Sequence, residues 1–356
     1  MVANARGADP RRLMEIAALE GPLESSKLEW VAQLYGQADP KYRLAAQLEH
    51  LFVRSPAGPG LHAFALEGNR PVGHCAVVPM PAREGIRRFT VGKVEALVVE
   101  PAYRGRRGEE PPLAVQLRHA LYALADTRGI ELLHAYVRPE VGRLLDLSPI
   151  RVGRPSLVAV IRPHLVGTSR LRPAAGGISL LQSAAASVAR TIVASDGPQP
   201  PLRAPTAEDE DLVRAPPPPG GSWTVLAEDT WSWLRGAQSL RVLELSRTER
   251  ARALLQFPGG RGGGLRLVSW SSERPTTTSA LRVLMAAHQL ARTSGAGTLR
   301  FQPWRPGPLT DALVVACRLL GFVRRDDFST LYVRARGPAL ARPDSVVATP
   351  LLGLGF

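Results

Sequence analysis

The sequence predicts an α/β protein with two domains, each built from a mixed, mostly antiparallel sheet flanked by helices. Three observations lead to this prediction. The chain has 356 residues, which exceeds the ~100–150 residues of a common domain. Proline and glycine are concentrated within 167–220, where they favour an extended spacer over regular structure. A similar order of strands and helices is predicted on both sides of this spacer, which indicates an internal duplication of the fold.

We therefore divide the chain into an N-terminal domain (1–166), a linker with one docked helix (167–220), a C-terminal domain (221–340) and a tail (341–356). The linker helix is predicted from apolar residues at helical spacing, which are Ile178, Leu181, Ala185, Val188 and Ile192. Its polar face carries Arg190 as its basic residue. Because membrane-surface helices are usually rich in Lys and Arg, docking on a domain is the favoured interpretation.

The N-terminal domain is predicted to begin with helices within 27–53, where leucines recur at helical spacing. The later elements, in chain order, are strands at 61–66, 71–79 and 91–99, a helix from Pro111-Pro112 to Arg128-Gly129, a strand at 130–137, a short helix at 139–147 and a strand at 156–161. The turn sequences EGNR and PAREG separate the first three strands and predict an antiparallel meander. The prolines suit the first turn of the long helix, and the glycine suits its end.

The C-terminal domain repeats this order in shorter form. Its predicted elements are a helix at 231–235, strands at 240–245, 253–257 and 265–270, a long helix that ends at Ser294-Gly295, a strand at 298–303, a helix at 309–320 and a strand at 329–334. The long helix is predicted from one apolar face, formed by Val283, Leu284, Ala287, Leu290 and Ala291. The tryptophans of this half are expected to fill its core or to line a cleft between the domains.

Composition argues against several functional classes. The chain has no run of ~18 uncharged apolar residues and no N-terminal apolar block with a cleavage site, so we expect a cytoplasmic protein without a membrane span. Cys75 and Cys317 lack metal-ligand spacing, which argues against a disulfide framework and against a metal site. The net charge of +14 is scattered along the chain, mostly as arginine, so a nucleic-acid partner is not favoured. The oligomeric state stays open.

The segment VEALVVEPAYRGRRGE, residues 94–109, combines an apolar strand, a proline, an aromatic residue and Arg-Gly-x-x-Gly before a helix. It resembles the acyl-coenzyme A motif of the GNAT (Gcn5-related N-acetyltransferase) superfamily. Such a motif grips a pyrophosphate with backbone N–H groups at a helix N-terminus, and its glycines allow close approach. The resemblance implies that acetyl-coenzyme A, or another acyl-coenzyme A, is bound by Leu97, Val98, Val99, Arg104, Gly105, Arg106 and Gly108.

The loop departs from the family pattern at Arg107 and Glu109, where the family has a glycine and a small residue, and Glu110 follows. Carboxylates on the first turn of the helix would repel a pyrophosphate. Two interpretations stay open. Either Gly108 replaces the missing glycine and the arginines offset the acids, or the loop is an inherited turn whose acids only cap the helix dipole.

The second half carries the C-terminal signature of the same superfamily, a helix that ends in Leu320-Gly321-Phe322. Its counterpart of the phosphate loop, 271–280, contains no glycine, and its hydroxyls are expected to cap the next helix. These hydroxyls belong to Thr276, Thr277, Thr278 and Ser279. We therefore expect no coenzyme in the second domain. The tryptophan-rich opening at 223–234 resembles the second domains of tandem GNAT-like proteins, including FemAB-type aminoacyltransferases.

Acyl transfer to an amine needs a base and an acid for the departing thiolate. Glu95 is the candidate base because it interrupts the apolar run 94–99, and an ion pair with Lys93 is the alternative explanation. The helix tyrosine that the family supplies as acid is missing, and Tyr136 or Tyr103 could replace it. The histidines show no ligand spacing and are expected to be structural.

The sequence therefore predicts an acyl-coenzyme A-dependent N-acyltransferase that acts on a small-molecule amine, for example an amino sugar. Two alternatives remain. One is a catalytically inactive GNAT-like binding or scaffold protein, which the altered loop and the missing tyrosine would suit. The other is a FemAB-like transferase that uses aminoacyl-tRNA, which would give the positive charge a purpose.

Overall fold

The computed structural model describes residues 14–38, 45–104, 111–137, 139–151, 156–162, 175–193, 201–215, 222–236, 239–245, 251–257, 263–303, 307–325 and 330–336. The elements of the first half are β1 (Met14–Glu20), α1 (Ser25–Ala38), α2 (Ala45–Phe52), β2 (Leu61–Glu67), β3 (Arg70–Glu84), β4 (Arg87–Val99), α3 (Leu113–Thr127), β5 (Leu132–Ala135), α4 (Pro139–Leu144), β6 (Ser148–Arg151), β7 (Ser156–Val160) and α5 (Ala175–Val193).

The elements of the second half follow in a similar order. They are β8 (Leu202–Arg203), β9 (Trp223–Val225), α6 (Ala227–Arg235), β10 (Leu240–Glu244), β11 (Arg252–Gln256), β12 (Gly264–Ser271), α7 (Thr277–Thr293), β13 (Thr298–Phe301), α8 (Pro308–Leu319), β14 (Val323–Arg325) and β15 (Thr330–Ala335).

The described strands form two mixed sheets with the same internal plan. The first has the order β1-β2-β3-β4-β5-β15-β6, with β9 added beside β3, and the second has the order β14-β7-β13-β12-β11-β10-β8. In each sheet one central pair is parallel, β4 with β5 and β12 with β13, and the neighbouring pairs are antiparallel. The predicted fold class, two mixed sheets flanked by helices, is confirmed.

Each sheet is completed by a strand from the other half of the chain. β7 lies between β13 and β14 in the second sheet, and β15 lies between β5 and β6 in the first. The sequence analysis had placed both strands in the sheet of their own half, which is wrong. β7 is buried along its whole length, so its apolar sequence fits the interior of either sheet. The domain boundaries at 166 and 221 remain a prediction. Each sheet contains strands from both sides of these boundaries.

Most helices lie where their periodicity and end signals predict them. Gly129 and Gly295 follow α3 and α7 with φ of 71° and 79°, a conformation that favours glycine and ends a helix. The strands β1, β6, β8, β9 and β14 were not predicted. β3 also runs through the expected PAREG turn, and the hairpin turn comes only at Gly85.

The helix in the linker, α5, docks on the second sheet through a face different from the predicted one. Gln182 accepts a hydrogen bond from Val160 N and donates one to Gly321 O, both at 2.8 Å. Ala186 is buried one turn later, whereas Leu181 is 73% exposed. The apolar stripe did not show which face of α5 contacts the sheet, because a buried glutamine hydrogen-bonds to strand and loop backbone there.

Among the described residues the core has three parts, and one of them joins the two sheets. One cluster fills the first sheet's face against α3, and another fills the second sheet's face against α7 and α8. The third, which we call the intersheet layer, contains residues of both sheets, among them Met80 and Leu132 of the first and Val242 and Leu254 of the second. Trp223, Trp231 and Trp233 are buried in this layer, so they fill core, which was one of the two expectations for them.

Candidate functional site

The first sheet opens between its two parallel strands. Pairing of β4 with β5 covers Val91, Gly92 and Lys93, and Lys93 lies opposite His134. β4 then continues to Val99, still paired with β3. The register with β3 shifts between His74 and Ala76, which marks a bulge on β4 that turns the strand away from β5. The end of β4 therefore borders a gap in the sheet.

The backbone of Val99 points into this gap. Glu100 N donates to Val72 O at 2.9 Å, so Glu100 faces β3, and by alternation Val99 directs its N–H and C=O away from β3. The carbonyl of Val99 accepts a hydrogen bond from Arg104 Nε at 2.6 Å. Arg104, one of the predicted coenzyme residues, thus holds the end of β4 with its side chain.

Helix α3 begins just beyond the gap with its N-terminus uncapped by any described side chain. Pro112 occupies the N-cap position, and the first turn contains no acidic residue. The expectation that Glu109 and Glu110 stand on this turn is wrong, because the prolines delay the helix until Leu113. The remaining residues of the predicted loop lie outside the described residues; they are Gly105, Arg106, Arg107, Gly108, Glu109 and Glu110.

The second sheet has a similar opening, but its helix is capped. β12 pairs with β13 from Gly264 to Leu267 and continues alone on that side to Ser271. At the start of α7, Thr276 and Ser279 form a capping box, in which Ser279 N donates to Thr276 Oγ1 at 3.1 Å. The predicted capping role of Thr276 is confirmed. These hydroxyls occupy backbone groups that a phosphate would otherwise need.

Glu95, the candidate base, forms an ion pair with Lys93. Its Oε2 lies 3.0 Å from Lys93 Nζ, and both side chains are more than nine-tenths buried. The two residues stand two positions apart on β4 and so share one face, which borders the intersheet layer. The ion pair offered as the alternative explanation is therefore present, and a catalytic role for Glu95 remains a proposal.

Tyr136 directly follows β5, on the same face as His134. Burial raises the pKa of its phenol, while the positive charges of Arg266 and Arg300 on the second sheet lower it. Burial prevails, so the phenol is protonated at neutral pH and can act as a proton donor. Tyr103 lies elsewhere: it is buried and accepts a hydrogen bond from Arg70 Nη2 at 2.8 Å, which fits a packing role.

Two buried histidines of the first sheet form a hydrogen-bonded chain that sequence reasoning missed. His62 Nδ1 lies 3.1 Å from His74 Nε2, and His74 Nδ1 lies 3.3 Å from the hydroxyl of Tyr35. That hydroxyl is 3.5 Å from the backbone oxygen of Glu95, to which it donates. Cys75, next to His74, faces the opposite core, and burial raises the pKa of its thiol to about 12. The alternation of β2 and β3 could have paired the two histidines, but the contact with α1 needed the tertiary structure.

Buried neutral histidines make the fold sensitive to acid. Burial lowers the pKa of His62 and of His134 to about 3, and it lowers that of His74 well below the usual range. Between about pH 6.5 and 3 the unfolded chain therefore binds protons on these histidines that the folded chain does not. Their contribution to stability is complete above this window and falls as pH drops through it. The slope from each histidine is about 1.4 kcal/mol per pH unit.

We expect His134→Gln to reduce this pH dependence. Urea unfolding between pH 7.5 and 4.5 should show a slope lower by roughly 1 kcal/mol per pH unit than in the parent. His119→Gln, which changes an exposed histidine of α3, is the matched control and should keep the parental slope. An unchanged slope in His134→Gln would mean that this imidazole is protonated in the folded protein.

Sites of two other kinds are absent from the described residues. Among them, no group of three or more His, Cys, Asp or Glu side chains could hold a metal ion. None of the described helices is both long and apolar enough to cross a membrane.

Comparison with known proteins rests on structure, because no protein-family model and no curated sequence matches the chain. A tandem GNAT protein from the clavulanic acid biosynthesis pathway is 13% identical and superimposes with a TM-score of 0.51, covering 92% of this chain and 99% of that chain. Saccharomyces cerevisiae N-myristoyltransferase, solved with myristoyl-CoA, is 10% identical with a TM-score of 0.52, covering 97% and 86%. At such identities the likeness shows the fold: this chain has the tandem GNAT fold.

Proposed function

We propose that this protein is an acyl-coenzyme A-dependent N-acyltransferase that transfers an acyl group, in the simplest case acetyl, to a small-molecule amine. One observation carries the proposal. The parallel pair β4–β5 opens after Lys93 and His134, beside a helix α3 whose N-terminus no described side chain caps. The same place in the second sheet is closed by the capping box of α7. The donor site is therefore assigned to the first sheet.

The residues around this gap suit an acyl-coenzyme A. The carbonyl of Val99 is held by Arg104 Nε, whereas its N–H faces the gap and suits a carbonyl oxygen of the coenzyme's extended arm. The N–H groups at the start of α3 carry partial positive charge and suit its pyrophosphate. When bound, the coenzyme supplies a thioester, an acyl group activated for attack by an amine. Leu97, Val98, Arg104, Gly105, Arg106 and Gly108 complete the proposed coenzyme site.

The chain's own residues supply proton transfers on the face toward the intersheet layer. The carboxylate of Glu95 takes a proton from the amine, directly or through a water molecule, so that the nitrogen lone pair becomes reactive. Lys93 Nζ lies 3.0 Å from Glu95 Oε2 and holds this carboxylate in place. Tyr136, protonated because burial raises its pKa, donates a proton to the departing thiolate.

A non-catalytic binding protein is the second candidate. The observation that favours it is the ion pair of Glu95 with Lys93, because such a pair can also serve only to neutralise two buried charges. Both candidates keep a coenzyme site, so coenzyme binding and turnover must be measured separately.

We expect acetyl-coenzyme A to raise the melting temperature of the protein and to give a one-to-one binding isotherm in calorimetry. Gly108→Asp should abolish both effects, because it adds a carboxylate to the loop that precedes α3. Thr278→Asp adds the same charge to an exposed position in the first turn of α7 and should bind acetyl-coenzyme A like the parent. This control tests whether the donor site belongs to the first sheet.

Two results would contradict the proposal. If neither coenzyme A nor its acetyl ester changes the melting temperature at millimolar concentration, the acyltransferase assignment fails. If Thr278→Asp loses binding and Gly108→Asp keeps it, the donor site belongs to the second sheet. A salt-sensitive complex with aminoacyl-tRNA without coenzyme binding would instead favour the FemAB-like alternative.

A further inference from the structure

Two arginines of the second sheet lie side by side on the face that borders the intersheet layer. Arg266 on β12 is the direct partner of Arg300 on the parallel strand β13. The neighbours of Arg266, Leu265 and Leu267, belong to the core against α7 and α8, so Arg266 points the opposite way. The same holds for Arg300, whose neighbours Leu299 and Phe301 lie in that core. Like charges in directly paired positions repel each other.

The two guanidinium groups lie within electrostatic reach of each other and of Tyr136. Burial, and next the charge of Arg300, lower the pKa of Arg266 to about 10, although Tyr136 acts in the opposite direction. The phenol of Tyr136 in turn feels both guanidinium groups. Because low-dielectric surroundings strengthen such interactions, an anion bound beside Tyr136 would be attracted by both arginines.

A second, independent feature points to a polar ligand in this layer. His134 has no exposed surface, and neither of its ring nitrogens has a hydrogen-bond partner among the described residues. Burial, and next the charge of Lys93, lower the pKa of His134 to about 3, so the ring is neutral. A neutral imidazole offers one donor and one acceptor, and buried polar atoms are rarely left unsatisfied.

These groups form one continuous row. Glu95 contacts Lys93, Lys93 is the strand partner of His134, and Tyr136 follows His134 on the same face of the chain. Tyr136 in turn lies within electrostatic reach of Arg266 and Arg300. A basic end and a carboxylate end thus face one layer, which suits a small ligand with opposite charges at its two ends.

We propose that the intersheet layer binds an amine substrate that carries a carboxylate, such as an amino acid, with the carboxylate held by Arg266 and Arg300 and the amine placed toward Glu95. The planar guanidinium fork matches the geometry of a carboxylate. The inference rests on the proposed function, because it names the acceptor class for the same site. It also assigns a role to the second sheet, which has no coenzyme of its own in this proposal.

The test compares a panel of L-amino acids with the corresponding amino acid amides, which keep the amine and lose the negative charge. Melting temperatures are measured for each compound, without and with coenzyme A. We expect at least one amino acid, and not its amide, to raise the melting temperature of the parent protein. Arg266→Gln and Arg300→Gln should lose this rise. Arg292→Gln, which changes an exposed arginine of α7, should keep it.

Turnover gives the second measurement. For the amino acid selected by the panel, KM in Arg300→Lys is expected to be roughly tenfold or more above that of the parent, because lysine keeps the charge but loses the bidentate contact. This conservative variant also covers the case in which a glutamine variant does not fold.

Three outcomes would overturn the inference: no amino acid in the panel has an effect, the amides act as strongly as the acids, or the rise persists in both glutamine variants. A larger rise with inorganic phosphate than with any carboxylate would overturn the carboxylate assignment. If coenzyme A binds while no carboxylate is preferred, only this inference fails. If carboxylates bind and coenzyme A does not, the proposed function fails instead.

Discussion

Glu95→Gln is expected to lower kcat by roughly 10²–10⁴-fold, the usual contribution of a general base. The amide keeps the size and shape of the side chain, so the coenzyme should bind with the parental affinity. The measurement is steady-state kinetics with acetyl-coenzyme A and the acceptor found in the amino acid panel. Glu131→Gln is the matched control, since Glu131 pairs with Arg87 at the surface, and it should keep the parental kcat.

The same change should also destabilise the fold, because it removes the carboxylate charge that pairs with the buried ammonium of Lys93. Breaking a buried ion pair in this way costs about 3–5 kcal/mol, to be measured by urea unfolding. The double variant Lys93→Met with Glu95→Gln should regain most of this stability and none of the activity. If the double variant regains the parental kcat, Glu95 has only a structural role and the binding-protein candidate is favoured.

Neither half of the chain is expected to fold alone. A fragment of residues 1–200 lacks β15, so β5 and β6 lose the strand between them. A fragment of residues 201–356 lacks β7, so β13 and β14 lose theirs. Open central edges expose unpaired backbone groups and apolar side chains. We expect each fragment to be aggregated or unfolded by circular dichroism, and the two to form one folded complex when they are produced together.

Cleavage of the full-length chain after folding distinguishes the effect of a missing strand from the effect of lost chain connectivity. A protease site placed within 216–221 is cleaved after folding, and both pieces should then elute together with the parental melting temperature. A cooperative thermal transition in the isolated 1–200 fragment would contradict the prediction, because it would show that the first sheet is stable without β15.

The elements that the sequence predicted well are those whose signals are local. The helix α3 has an apolar face, prolines before it and a glycine after it, and each of these acts within a few residues. The strands that escaped prediction are mostly short or peripheral. β1, for example, is an edge strand with a mixed burial pattern, and such a strand depends on its partner β2 more than on its own residues.

The candidate site shows the same limit. The sequence offered two roles for Glu95, a catalytic base and an ion-pair partner of Lys93. Both could be predicted from neighbouring residues, because Lys93 stands two residues away on the same face of β4. It gave no sign that Tyr136 would lie near Arg266 and Arg300, because these residues come from opposite halves of the chain and show no common spacing. This proximity depends on how the two sheets pack across the intersheet layer, which no local sequence pattern predicts.

By itself, the sequence determined the fold class, the tandem plan, most helices and the strand–loop–helix segment proposed to bind a coenzyme. Only the tertiary structure decided which sheet receives β7 and β15, how Glu95 is paired and which charges meet between the sheets. The physical reason is the distance along the chain over which each signal acts. Helix periodicity, caps and turns act within a few residues, whereas a fully buried apolar strand fits the interior of either sheet equally well. Its place is set by the whole set of backbone and core partners that folding brings together.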